Sequence, residues 1–490
     1  MTILLTTLNA RYAHASLGLR CLYANMAELQ EQTRIVEFVI GARAADLVER
    51  LLAHAPAIIG FGVYIWNVEE ITHVVALLKR IAPHIKIVLG GPEVSHETQE
   101  QEITRLADYV ITGWGDTGFV ALCRQILHGP QPLMKVHAGP QPPLAELALP
   151  YAYYDERDIR ERTLYVEASR GCPFKCEFCL SALDKTAWPF ETARFLAALE
   201  DLYQRGARQF KFVDRTFNLN IKTSLAILQF FLDKIEAHPE DPLYAHFELV
   251  PDHLPDALKT AILRFPPGAL QFEIGIQTFN PQVQARISRK QDNDKACANL
   301  AWLAAHSQAH LHVDLIAGLP GEDVASFAAG FDRLWSLGVD EIQFGILKRL
   351  RGTPIIRHTD EFGLVFDPLP PYAIQATGSI SFLEMQELVR FARYWDLVAN
   401  SGRFANSLRI LLGESPFANF MRFSRWLFAN TDATHRIALE RLAGLVLRYL
   451  EQELGMPQNE AALLLGRDHA RRQAPEGNSG QVRQARHLAA

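Results

Sequence analysis

The stretch Leu164-Tyr165-Val166-Glu167-Ala168-Ser169-Arg170-Gly171-Cys172-Pro173-Phe174-Lys175-Cys176-Glu177-Phe178-Cys179 decides the fold. Leu164–Ala168 reads as a short buried strand. A loop with the spacing C-x3-C-x2-C follows directly. Three thiolates on one loop hold three irons of a cubane cluster and leave the fourth iron without a protein ligand. An open metal position is what chemistry on a bound ligand requires. A structural zinc site asks for a fourth Cys or His at short range, and none stands beside the triplet. The other cysteines, Cys21, Cys123 and Cys297, are scattered. The clustering therefore reads as metal binding in a reducing compartment rather than as disulfides.

Working outward, residues 151 to about 355 repeat a strand–helix alternation. Strands are predicted at Leu164–Ala168, Gln209–Val213, Ala245–Leu249, Gln271–Ile276, Leu311–Ala317 and Glu341–Ile346. Six such units suit a partial or complete parallel barrel, with the site where strands end and loops begin. Residues 1–128 show the same alternation on a smaller scale. Ile3–Leu8, Arg34–Val39, Ala57–Val63, Ile85–Leu89 and Asp108–Thr112 predict a doubly wound, Rossmann-like α/β sheet. Residues 129–150 hold six prolines and read as a semi-rigid linker. From 356 to 465 the periodicity is helical. Residues 466–490, with five arginines against two acids, read as a disordered tail, solvated rather than bound to nucleic acid.

The chain has 490 residues, 49% apolar and 21% charged, which excludes a disordered, collagen-like or disulfide-scaffold protein. A net charge of -6 gives no global signature for nucleic acid. Met1–Leu8 lacks the charged start of a signal peptide, and no run of about 18 apolar residues is present. A cytoplasmic protein without a membrane span is expected.

The cysteine loop resembles the signature of the radical S-adenosylmethionine (SAM) enzymes. The resemblance implies a [4Fe-4S] cluster on Cys172, Cys176 and Cys179, with SAM on the open iron. Val213-Asp214-Arg215-Thr216-Phe217-Asn218, Glu273-Ile274-Gly275-Ile276-Gln277-Thr278 and Asp314-Leu315-Ile316-Ala317-Gly318-Leu319-Pro320-Gly321-Glu322 resemble family segments in the same order along the barrel. It implies that Phe178, Asp214, Glu248, Glu273, Gln277, Gly318 and Leu319 surround SAM. Arg215 departs from the pattern, which has a second acid there. Arg289 and Lys290 read as a solvated basic pair, with pairing to a carboxylate as the alternative. An external electron donor such as flavodoxin or ferredoxin is implied too.

In the first domain, glycine-bearing segments follow three strand ends: Gly62 to Asn67, Gly90-Gly91-Pro92-Glu93 and Gly113-Trp114-Gly115-Asp116. Such loops admit a large flat or anionic ligand at the sheet edge. No G-x-G-x-x-G opens the first helix, against a dinucleotide site. The arrangement resembles the cobalamin-binding domain fused to radical SAM barrels. It implies cobalamin contacts from Asn9, Tyr64, Trp66, Asn67, Gly90, Gly91, Pro92, Glu93, Gly113, Gly115 and Asp116. The cobalt-binding motif Asp-x-His-x-x-Gly is missing, since His14 lies in Tyr12-x-His14-x-x-Leu17. A cobalt without a protein histidine is the implication.

Together the parts predict a cobalamin-dependent radical SAM enzyme that methylates an unactivated carbon. The alternatives are a non-methylating rearrangement, cyclisation or sulfur insertion, and a non-catalytic cobalamin or redox sensor. The substrate class (small molecule, peptide or RNA) is open. The helical region after residue 355 is expected to cover the barrel mouth and help form the substrate site, or else to buttress the barrel.

Overall fold

A computed structural model describes residues 2–472. Six parallel strands form the first sheet: β1 (Thr2–Asn9), β2 (Thr33–Val39), β3 (Pro56–Gly62), β4 (Lys86–Gly90), β5 (Tyr109–Gly113) and β6 (Val136–Gly139). Their order is β2-β1-β3-β4-β5-β6. The strands read as continuous apolar runs because both faces are covered. Leu4, Leu8 and Ile59 pack with the Val68–Ile81 helix on one side, and Ile3, Leu5 and Ile58 with Phe119 and Leu122 on the other. The winding reverses between β1 and β3, where helices leave to opposite faces and open a crevice.

β6 falls inside the stretch expected to be a linker. It pairs parallel to β5 through Val110↔Val136 to Gly113↔Gly139. Pro132 and Pro140 bracket it, and an edge strand tolerates such neighbours. The composition of 129–150 concealed a strand four residues long.

The second sheet comprises β7 (Leu164–Val166), β8 (Gln209–Phe212), β9 (Tyr244–Leu249), β10 (Leu270–Gln277), β11 (His310–Ala317) and β12 (Glu341–Ile346), all parallel and in sequential order. Among the described residues β7 and β12 do not pair with each other, so this is an open partial barrel. Its strands alternate. Phe210, Phe212, Phe247 and Phe272 are buried in the hydrophobic core. Lys211, His246, Glu248, Glu273, His312, Asp314 and Glu341 take the other face. Lys211 lies opposite His246, and Glu248, Glu273, His312 and Glu341 share one register across four strands. A filled barrel stacks apolar layers inside; this one presents a polar, ion-paired row.

The helices Phe382–Trp395, Ala405–Leu412, Pro416–Thr431, Leu439–Gln452 and Gln458–Arg472 follow. They share one core with the barrel. Phe331 of the Val324–Ser336 helix meets the rings of Trp395, Phe391 and Phe417 at 4.8, 5.3 and 5.7 Å. Phe344 of β12 lies 5.0 Å from Phe391. The region is thus built onto the outer flank of the barrel. The last helix runs past residue 466, where a disordered tail was expected to begin; residues 473–490 lie outside the described residues. No helix among the described residues is long and apolar enough to cross a membrane.

Glu322, at the turn after β11, is buried and accepts hydrogen bonds from Thr278 Oγ1 (2.6 Å) and Ser326 Oγ (3.2 Å). Burial outweighs those bonds and pushes its carboxyl up to about 7. A raised folded pKa gives stability that is complete below the unfolded value and is lost as pH rises through 7. Glu322→Gln keeps the acceptor and removes the charge. It is expected to stabilise by about 1–3 kcal/mol at pH 8 and by little at pH 5, read as denaturant midpoints. An equal gain at both pH values would refute this account.

Candidate functional site: two cavities joined by the cysteine loop

The cysteine loop begins where β7 ends. Gly171 adopts φ +86°, and a Cβ there would lie 2.6 Å from Thr186 Oγ1 and 2.7 Å from the Ala187 nitrogen, so only glycine makes this turn. Cys172 and Cys176 are buried and Cys179 is partly exposed. The loop is pinned by backbone bonds from Cys172 to Asp184 and from Cys179 to Cys176. Burial pushes the Cys172 and Cys176 thiols up, and each thiol feels its neighbours' charge. All three line one cavity. Among the described residues no His, Cys, Asp or Glu group is spaced for a single metal ion.

The same cavity is lined by Phe178, Glu248, Glu273 and Gln277, four of the residues expected around SAM. Gln277 has φ +69° at a break in the β10–β11 register. A non-glycine residue held there is strained, and its side chain is aimed by that backbone. Three expected residues are elsewhere. Asp214 is buried beneath the loop, where it accepts from the Ala168 nitrogen (2.9 Å) and Ser169 Oγ (2.6 Å); burial pushes it up to about 7. Gly318 packs under Ile374, and Leu319 is fully buried. These three shape the site without lining it.

Two arginines complete the cavity. Arg215, in place of the family's second acid, pairs with Glu248 at 2.5 Å. Burial still outweighs Arg215 and lifts the Glu248 carboxyl to about 7. Arg289 is no solvated residue. Its Nη1 lies 3.7 Å from Cys176 Sγ, and its Nη2 donates to the Gly275 carbonyl. The cavity therefore opposes a carboxylate on β9 to a guanidinium beside the thiols, which fits the ammonium and carboxylate of an amino-acid cofactor. On the cavity wall, burial would raise Glu273, but His246, Lys211 and His312 hold it down at about 2. His312 is carried up to about 10 against its burial by Asp314 and Glu341.

The second cavity lies at the carboxyl edge of the first sheet. Tyr64, Gly90, Gly91, Gly113, Gly115 and Asp116 line it, together with Cys21, Trp114, Glu167 and Arg170. A Cβ on Gly90 or Gly113 would meet no protein atom nearer than 3.9 or 4.0 Å, so the missing side chains leave room for a ligand. Gly91 has φ +107°, and a Cβ there would lie 2.5 Å from the Val63 carbonyl. A glycine-lined slot between two helices fits a large cofactor.

The other expected cobalamin residues have different tasks. Asn67 is buried and donates to Thr7 and Leu8 while accepting from the Tyr64 nitrogen. Asn9 donates to Glu37. Trp66 stacks on Tyr64 at 4.4 Å, and Pro92 is exposed. Glu93 accepts from Arg351 and Tyr372, while its neighbour Glu97 holds Arg349 and Arg351 at 2.8 and 3.0 Å. This clamp ties the loop after β4 to the segment after β12. His14 is outside the slot and stacks on Tyr165 of the barrel.

Arg170 stands on the glycine-slot side of the cysteine loop, two residues before Cys172, which lines the first cavity. It lines the glycine slot, grips Asp116 at 2.8 and 3.1 Å and Glu167 at 2.7 Å, and lies over the Trp114 ring. Trp114 in turn donates to Asp184, whose carbonyl holds Cys172. A doubly wound domain with a glycine slot is thus set against an open barrel with a three-cysteine loop.

Comparison with known proteins agrees. The B12 binding domain family matches residues 3–123, and the Radical SAM superfamily matches residues 166–334. Residues 360–477 match a family of unknown function, DUF4080. The chain thus combines a B12-binding domain with a radical SAM domain. These domains call for a [4Fe-4S] cluster, SAM and cobalamin. The ribosomal protein uS12 methylthiotransferase RimO of Roseiflexus sp. (strain RS-1) is 26% identical over 57% of this chain and 60% of its own length. The cobalamin-dependent radical SAM methyltransferase TokK of Streptomyces tokunonensis is 24% identical over 58% of this chain and 46% of its own. The chain thus spans less than two thirds of these curated relatives. The fold is that of TsrM from Kitasatospora setae, solved with cobalamin and a [4Fe-4S] cluster, at TM-score 0.61, 15% identity, 87% of this chain and 100% of that one.

Proposed function

We propose that the protein methylates an unactivated carbon of its substrate, with SAM as methyl source and cobalamin as methyl carrier. The observation that carries this reading is the short span Arg170-Gly171-Cys172, whose first residue lines the glycine slot and whose last lines the thiol cavity. A methyl group relayed between two cofactors requires adjacent sites. TokK and TsrM are named as methyltransferases. When bound, the three cofactors supply radical generation and methyl carriage, chemistry beyond amino-acid side chains.

The chain's own residues do the rest. Cys172, Cys176 and Cys179 hold the cluster. Arg289 and Glu248 orient the charged ends of SAM, and Phe178 and Gln277 border it. The slot at Gly90, Gly91, Gly113 and Gly115 receives the corrin or its tail. No histidine is among the residues lining that slot, which supports a cobalt without a protein histidine. The Glu93–Arg351 clamp ties the first domain to the segment that follows the barrel's last strand.

RimO's name as a methylthiotransferase favours one second reading, sulfur insertion. Product mass separates them: methylation adds one CH2 to the substrate and methylthiolation adds CH2 and one sulfur, while either yields S-adenosylhomocysteine and 5′-deoxyadenosine. Methylation through this route yields S-adenosylhomocysteine and 5′-deoxyadenosine in equal amounts per turnover. 5′-Deoxyadenosine alone would overturn methylation, and neither product would return the protein to the sensor class.

A further inference from the structure

We propose that the groove on the outer side of the cysteine loop docks a small acidic protein that carries one electron. This rests on the radical SAM reading above. Cleaving a sulfonium carbon–sulfur bond to a carbon radical consumes one electron, so the donor is oxidised by one electron and the cluster reduced by one. The three cysteines outside the loop are isolated thiols, and burial pushes each of them up. The electron has to arrive from outside.

Access to the loop is restricted. Arg170, Asp116 and Trp114 cover its first-domain side. On the opposite side Glu177 is buried by Arg357, by His358 at 2.8 Å and by the Ile355 nitrogen at 3.0 Å. The inner side is the SAM cavity, which shares Phe174, Arg289, Lys290 and Gln291 with the outer groove, so the two adjoin at those residues. What remains is Pro173-Phe174-Lys175, which lines a groove against Pro281, Arg289 and Lys290.

That groove is basic in an acidic chain. Lys175, Arg289 and Lys290 line it and no carboxylate does, whereas the whole protein carries -6. Lys175 and Lys290 are exposed. Phe174 gives the groove an apolar floor, the usual make-up of a contact centre with a charged rim. Arg289 reaches from the groove to within 3.7 Å of Cys176 Sγ. A partner seated here comes within a few bonds of the cluster, and opposite charge steers it in.

The test uses the full-length reconstituted protein and SAM cleavage, driven either by dithionite or by a reduced flavodoxin. Lys175→Glu and Lys175→Gln alter an exposed side chain only. The half-saturating flavodoxin concentration is expected to rise roughly tenfold in Lys175→Glu and less in Lys175→Gln. It should rise with salt in the wild type, while dithionite-driven cleavage stays unchanged. An unaltered half-saturating concentration in Lys175→Glu would overturn the docking site. Flavodoxin binding followed by fluorescence anisotropy needs no turnover. Binding weakened by Lys175→Glu would support the groove even if wild-type protein made no 5′-deoxyadenosine with dithionite, a result that would sink the catalytic reading instead.

Discussion

Replacing Cys172, Cys176 and Cys179 together by alanine is expected to take the iron and sulfide of the anaerobically reconstituted protein from about four each to near zero. The three thiols line one cavity, and nothing nearby substitutes for them. Cys21 is buried against Glu167 and Arg170, and burial pushes Cys123 up to about 12. The fold should survive. The loop's turn depends on Gly171, and its anchors are backbone bonds from Cys172, Glu177 and Cys179 that alanine retains. Cobalamin binding should survive as well, because the glycine slot contains none of the three. The measurement is iron and sulfide analysis beside visible absorption, with far-ultraviolet circular dichroism as the folding control. A full four-iron complement in a folded triple variant would end the assignment.

The cluster was legible because its signal is local: three ligands and a glycine turn within nine residues, directly after a strand. Five strands of the first sheet were legible for a similar reason, since burial on both faces leaves largely apolar runs such as Ala57–Val63. β6 was hidden because a four-residue edge strand has too few residues to outweigh flanking prolines. Residue roles were harder. Asp214 and Glu248 both end a strand, yet one is buried under the loop and the other lines the cavity. Strand-end position does not say which way a side chain points. Arg289 looked solvated because its partners, Cys176 and the Gly275 carbonyl, are distant in sequence. Glu93 follows a glycine pair that reads as a ligand loop, but its partners Arg351 and Tyr372 are more than 250 residues away. One usable signal was passed over. The barrel strands alternate, as in Gln271-Phe272-Glu273-Ile274 and His310-Leu311-His312-Val313, and that period of two marks a polar inner face.

Arg20→Met is expected to destabilise the protein by about 3–5 kcal/mol, the cost of breaking a buried ion pair from one side. Arg20 Nη2 lies 2.9 Å from Glu37 and 2.6 Å from Asp158, and Nη1 donates to the Ser16 carbonyl at 2.9 Å. Arg162 holds the same two carboxylates at 3.3 and 3.2 Å. Every side chain in this four-membered network is at most 10% exposed. It joins the first domain, through Arg20 and Glu37, to the segment entering β7, so it fixes where the glycine slot sits against the cysteine loop. Methionine fills the space but leaves two buried carboxylates sharing one cation. The loss should appear as a fall of roughly 3–5 °C in thermal midpoint. Burial alone would raise the Glu37 carboxyl; Arg20, Asn9 and Ser16 hold it below its ordinary value. A lowered folded pKa gives stability that is present above the unfolded value and lost as pH falls through the folded one. The gap between wild type and Arg20→Met should therefore be full at pH 7 and shrink below about pH 4.5. In Arg20→Met/Glu37→Gln the combined loss should be smaller than the sum of the two single losses, because the second change removes a charge that the first left stranded. A midpoint within about 2 °C of wild type at pH 7 would show that the network contributes nothing net, its desolvation cost cancelling its attraction.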